Sequence, residues 1–151
     1  VDMDRLLAMS RPELDQLFRT SPAGEIPRGE GRGTVLLARG TKVSRAAAAL
    51  ARLLAWQGKV FAPDGKELRN RVTPFGLRAV KAEVYRDGSR LDGAECTVLD
   101  YSRTSLLAHR IRDEIRRIGP GVYLGLVYWG RRRVLDFVLN FPDADSWATR
   151  A

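Results

Sequence analysis

One cysteine, Cys96, and one histidine, His109, stand in a chain of 151 residues. A single thiol excludes an intrachain disulfide framework, and the two residues together cannot assemble a Cys/His zinc site within one copy of the chain. Long apolar runs are also missing. The longest apolar tract, 46–56, is interrupted by Arg52 and falls short of the roughly 20 residues that a bilayer-spanning helix needs, so no transmembrane segment is expected. Residues 1–11 contain Asp2, Asp4 and Arg5 and lack the apolar stretch and small-residue cleavage site of a signal peptide, which makes the cytoplasm the expected location. No Ser/His/Asp triad can be assembled by spacing, and 29–33 is not a phosphate loop because no Gly-Lys-Ser/Thr follows it. A lone imidazole can hold a haem, but a surface or hydrogen-bonded histidine is the simpler reading of His109. No metal and no cofactor are expected.

Lysine is scarce as well, 4 residues against 22 arginines, and the chain carries a net charge of +8. A summed positive field attracts nucleic acid, anionic lipid and acidic metabolites whatever the fold. The alternative is an Arg-rich, Lys-poor composition set by coding bias, which presents a solvated basic face. What is present is globular: 44% apolar and 29% charged residues, with five Phe, four Tyr and three Trp. A chain of this length buries roughly 70% of its unfolded surface. One domain over 1–151 is expected, with a helical amino-terminal part and first strand in 1–56, strands in 57–141 and a tail in 142–151.

Ser10 and Glu13 form a capping box with Pro12 inside the first turn. Leu14, Leu17 and Phe18 then share one helical face up to Pro22. Residues 23–33 read as a Gly/Pro-rich loop and 34–38 as a strand. Ser44 caps a second helix over 46–56, with Leu50, Leu53 and Leu54 on its apolar face. Thereafter short Val/Ile/Leu/aromatic runs at 59–62, 67–73, 77–86, 95–101, 123–129 and 134–141 alternate with turn residues, a spacing that points to an all-β barrel or sandwich. Segment 109–118 is ambiguous. Ile111, Ile115 and Ile118 fit a helix slightly better than a strand, yet Ile111 and Ile115 also share a strand face and Gly119-Pro120-Gly121 follows as a hairpin connection. As a strand it would bring the count to about eight, enough to close a small antiparallel barrel.

The string Gly29-Glu30-Gly31-Arg32-Gly33-Thr34, preceded by the Leu14/Leu17/Phe18 helix, resembles the amino-terminal signature of bacterial GXWXG-domain proteins, although no tryptophan stands between its glycines. Residues 58–61, Asn70, Leu99-Asp100-Tyr101, 112–115 and 121–125 resemble the later half of the same group. The likeness extends over 13–141 in patches. It implies that 109–118 is a strand and that the fold is mainly β, an antiparallel calycin- or lipocalin-like barrel of about eight strands with one or two amino-terminal helices.

In such a barrel, alternate residues of each strand face the interior, where apolar side chains and a few converging polar groups make a ligand site. The expected function is binding or carriage of a hydrophobic, fatty-acid-like or polyketide-like molecule, anionic in one version. The expected lining is Phe61, Asn70, Phe75, Tyr101, Tyr123, Trp129 and Phe137, with Arg112, steadied by Glu114, as the fork for an anion. The alternative for Arg112 and Glu114 is a solvent-facing ion-pair ladder. Gly125 either leaves room for a ligand or marks a bend. A cofactor-free isomerase or cyclase using Asp100 or Asp113 with Tyr101 or Tyr123 is a second reading, although Asp100 more simply caps the next turn. A third is an anion-surface or nucleic-acid binder through Arg69, Arg71, Arg78 and Arg131 to Arg133, disfavoured because no nucleic-acid signature accompanies them. The partners expected are a hydrophobic small molecule and, as an option, a second copy of the chain in a homodimer.

Overall fold

A computed structural model of the protein describes residues 1–36, 59–70, 80–104 and 109–147. Eight antiparallel strands form a closed barrel in chain order, each paired with the next and the last with the first. They are β1 (Gly29–Leu36), β2 (Lys59–Phe61), β3 (Glu67–Asn70), β4 (Val80–Gly88), β5 (Glu95–Asp100), β6 (Ile111–Gly119), β7 (Val122–Trp129) and β8 (Arg132–Asn140). Closure is secured by five β1–β8 partners, from Arg32 opposite Asn140 to Leu36 opposite Asp136. Closing the sheet gives every strand a hydrogen-bonded neighbour on each side.

Two helices, α1 (Met3–Ala8) and α2 (Arg11–Thr20), precede the barrel. The capping box of α2 is formed: the Glu13 amide donates to Ser10 Oγ, and the Ser10 amide donates to the Glu13 carboxylate. Helix α1, which the apolar periodicity does not announce, starts because Asp2 accepts from the amides of Asp4 and Arg5. The expected helix at 46–56 lies outside the described residues. Strand β1 begins at Gly29, five residues before the expected start. The glycine string, expected as loop, belongs to the barrel wall because Gly31 accommodates a neighbour: a Cβ there would come within 2.5 Å of the Phe141 ring.

Alternation along the strands divides the apolar residues between two cores. Phe61, Leu99, Ile115, Val127, Phe137 and Leu139 point into the barrel. Leu124, Leu126 and Val138 point outward and are covered by Leu6, Leu14 and Phe18 of the helices. Strands β7 and β8 are thus buried on both faces, which is why apolar residues fill both faces of β7 and, apart from the buried Asp136, of β8 between Val134 and Leu139. Segment 109–118 is a strand. Its Ile111 and Ile115 face the barrel interior while Arg112, Glu114 and Arg116 lie on the outer side. The helical spacing of its isoleucines arises because four-residue spacing also satisfies a period of two.

Candidate functional site

Strand β2 is only three residues long, and its first residue is a lysine. Val60 faces outward, so Lys59 and Phe61 both face in, and Lys59 is completely buried. Its register is set on both sides, opposite Gly31 of β1 and Asn70 of β3. Directly across the barrel, four strands away, β6 places Asp113 on its interior face opposite Leu99 and Val127. The Lys59 ammonium reaches across the lumen to within 3.2 Å of Asp113 Oδ2. Tyr101 extends the inward series Thr97, Leu99 past the end of β5, and Lys59 Nζ donates to its hydroxyl at 2.7 Å. The ammonium also lies 5.4 Å from the Tyr101 ring centroid and 5.5 Å from that of Phe137, within cation–π range.

This polar group stands inside an apolar lumen. Burial pushes the Lys59 amine down and the Asp113 carboxyl up, and their mutual attraction offsets part of each displacement. Two further polar atoms facing the interior are left over. Neither Asp113 Oδ1 nor Thr97 Oγ1 has a hydrogen-bond partner among the described residues. Buried polar atoms are normally paired with protein, water or ligand. Lys59 and Tyr101 can hold an oxygen atom, and Asp113 can take up or release a proton next to it.

Phe61, one inward position along β2 from Lys59, belongs to an aromatic layer at the barrel end where β1 begins. Its ring centroid lies 5.6 Å from that of Phe141, which in turn meets Tyr123 at 5.7 Å and Trp147 at 5.4 Å, all edge to face. Above this layer opens a cleft of about 730 Å³, floored by Phe61, Phe141 and Trp147 and rimmed by Arg28, Glu30 and Asp143. The segment before β1 is tied down nearby, since the Tyr123 hydroxyl donates to the Glu25 carbonyl at 2.6 Å. Burial pushes that phenol up to about 12. Tyr123 is therefore an anchor of the barrel end.

The expected lining residues divide accordingly. Phe61, Tyr101, Tyr123 and Phe137 are buried in the barrel core. Asn70 ends β3 opposite Lys59, Phe75 lies outside the described residues, and Trp129 is 37% exposed at the end of β7. Arg112 and Glu114 do not join them, because they occupy the outer face of β6. Glu114 accepts from Ser89 Oγ at 2.6 Å, from the Arg90 amide at 3.0 Å and from Arg112 Nε at 3.0 Å. Arg112 also donates to the Gly88 carbonyl at 3.0 Å. The pair fastens the β4–β5 connection to β6 and is already committed there, so the anion fork expected from the sequence is corrected to a structural clasp.

Gly125 faces the interior, but a Cβ there would fall 2.2 Å from the Phe137 ring. The room it leaves is taken by that ring. Asp100 lies outside the barrel, accepting from the Ser102 amide and the Tyr85 hydroxyl, so it caps the turn and takes no part with Tyr101. Cys96 is fully buried between the sheet and the helices, and burial pushes its thiol up to about 12. His109 is exposed, and among the described residues no three His, Cys, Asp or Glu side chains gather as a metal site. Of the arginines read as an anion surface, Arg69, Arg131 and Arg132 are exposed. Arg133 instead turns to Asp15 and Asp136, and Arg71 and Arg78 lie outside the described residues.

Sequence reasoning found Asp113 and Tyr101 but overlooked Lys59. One signal was available: lysine is the exception among the cations of this chain, and this one opens an apolar strand.

The fold and the interior together define a closed eight-strand antiparallel barrel with a buried amine–phenol–carboxylate group. No family model matches the chain, and no curated protein matches it. Among solved structures, a protein from Thermomonospora curvata is similar over 88% of each chain, with a TM-score of 0.56 and 17% sequence identity. At that identity the likeness carries the fold. No helix of the described residues is long and apolar enough to cross a membrane.

Proposed function

We propose that the barrel binds a hydrophobic small molecule with one oxygen-bearing end, of fatty-acid or polyketide type, and that Lys59, Tyr101 and Asp113 receive that end. The observation that carries this reading is the buried Lys59–Asp113 pair with two interior oxygens, Asp113 Oδ1 and Thr97 Oγ1, lacking partners among the described residues. A calycin-like carrier of the GXWXG type accords with this reading. A cofactor-free isomerase or cyclase in the same place is the second reading. It is favoured by a carboxyl whose affinity for a proton is raised by burial, beside two donors suited to a developing oxyanion.

Native mass spectrometry of protein from its own host, followed by denaturing extraction, identifies any passenger. Replacing Lys59 with Met is expected to weaken a bound acid or ketone by roughly ten- to hundredfold, the range for losing a charge-assisted hydrogen bond. Arg112→Met is expected to leave affinity unchanged. An empty protein that also fails to take up a fluorescent fatty acid would overturn the reading. A macromolecular partner would then be indicated by an affinity that falls steeply with salt.

A further inference from the structure

We infer that Lys59 forms a reversible imine with an aldehyde or ketone held in the barrel, so that the site takes carbonyl compounds by covalent capture. This rests on the small-molecule reading above and adds the bond and the substrate class.

Three features of the interior point to it. The first is the choice of cation. A guanidinium would serve a permanent charge pair and could bind a carboxylate through two parallel bonds, but it stays protonated and does not attack carbonyl carbon. The chain uses arginine for 22 of its 26 cationic residues, including Arg112, Arg116 and Arg133, which pair with Glu114, Asp92 and Asp136 on the outer side of the barrel. At the lumen it places a primary amine, the cation that can become a nucleophile when desolvated.

The second feature is the neighbours. Asp113 at 3.2 Å can take the proton that masks the amine, and Tyr101 at 2.7 Å is placed to relay a proton between nitrogen and oxygen. Third, the surroundings are dry. Lys59, Tyr101 and Phe137 are all enclosed, and an imine survives where water is excluded.

The step balances without any oxidant or reductant. The Lys59 ammonium passes one proton to Asp113, and the amine nitrogen then adds to the carbonyl carbon. The oxygen takes a proton from Tyr101 as the carbon–oxygen π bond opens, and the nitrogen returns one to Tyr101, giving a carbinolamine. Protonated by Asp113, the hydroxyl leaves as water while the nitrogen lone pair forms the C=N bond. The product is a cationic imine facing the Asp113 carboxylate, so the buried pair begins and ends the sequence with the same charges.

The test treats the intact protein at neutral pH with one equivalent of octanal and cyanoborohydride, then maps the fixed octyl group by peptide mass spectrometry. Octanol, which cannot form the bond, is followed in parallel by native mass spectrometry. A desolvated amine beside a proton acceptor attacks carbonyl carbon more readily than a solvated ammonium, so modification at Lys59 is expected to exceed that at the exposed Lys66 and Lys81 by roughly tenfold or more. Tyr101→Phe should slow labelling of Lys59 and leave the background at the exposed lysines unchanged, whereas a merely structural Tyr101 would not produce that selective effect. Retention of octanol with no enrichment at Lys59 in the wild-type protein would overturn the imine while leaving the binding reading intact. Absence of both octanol retention and Lys59 labelling would overturn both. Labelling at Lys59 without octanol retention would support the imine and count against non-covalent binding.

Discussion

At the scale of the residue, the interior is shaped by what glycine leaves out. Gly125 and Phe137 are directly opposite in β7 and β8, and the phenyl ring lies where a side chain at 125 would begin. Gly125→Ala is expected to destabilise the barrel by about 1–3 kcal/mol, the usual cost of overpacking a filled core. Urea denaturation should report this as a lower midpoint. Trimming the ring should relieve the clash, so Gly125→Ala combined with Phe137→Leu should show a favourable coupling of about 0.5–3 kcal/mol. Additive losses would mean that the ring does not depend on the glycine. Lys59 shows the same dependence on neighbours. Its strand assignment is visible in the Val60-Phe61 run, but its partner is contributed by the opposite wall.

At the scale of the element, α2 is docked by an arginine from the sheet. Arg116, 1% exposed, donates to the Phe18 carbonyl at 3.0 Å and makes two 2.7 Å bonds to the Asp92 carboxylate. It also reaches the Ala94 and Glu95 carbonyls, and its guanidinium lies 4.4 Å from the Phe18 ring centroid. The bidentate arginine holds the Asp92 carboxyl below the usual carboxylate range. Helix, β4–β5 connection and β6 thus share one side chain. Arg116→Met removes all of these bonds and should cost about 1.5–3 kcal/mol, the range for hydrogen bonds to a charged group, because the Asp92 carboxylate left behind is solvated. Amide hydrogen exchange should rise together in α2 and in 89–94. A rise in only one of the two would show that Arg116 does not couple them. Strand β6 carries this tie outward and Asp113 inward, which explains its mixed sequence: charges appear on both faces because both faces have a specific partner.

At the scale of the whole molecule, two cores share the strands β5 to β8, and both enclose groups that lose a proton in alkali. Burial pushes Cys96, Tyr123 and Tyr128 up to about 12, from ordinary values of 9.0 for the thiol and 10.0 for the phenols. The folded protein therefore retains protons that the unfolded chain releases. This stabilising contribution is complete below pH 9 and is lost as pH rises towards about 12. Thermal unfolding should show Tm falling through that window. Cys96→Ala should flatten the fall by up to about 1.4 kcal/mol per pH unit, the slope of a single proton. An identical slope in that variant would mean that Cys96 titrates alike in both states. Barrel closure is the feature on which these effects rest, since it makes one wall of each core out of the same sheet.

The sequence by itself determined the strand-rich architecture, because period-two alternation and turn residues are local properties of the chain. The Ser10–Glu13 capping box and the Gly130 turn are legible in the same way, and Gly130 adopts the positive φ of 58° that its hairpin position requires. Two readings needed the tertiary structure. Segment 109–118 satisfies both a helical and a strand period, and only its pairing with β5 and β7 resolves which face Ile111 and Ile115 present. The polar group at Lys59, Asp113 and Tyr101 comes from β2, β6 and the end of β5. No local pattern links residues 59, 101 and 113, because what brings them within hydrogen-bonding distance is the closure of the sheet upon itself. The same closure decides that Asp113 faces the lumen while its neighbours Arg112 and Glu114 clasp a loop outside. A run of alternating charge shows that two faces exist, and the fold alone determines which of them is enclosed.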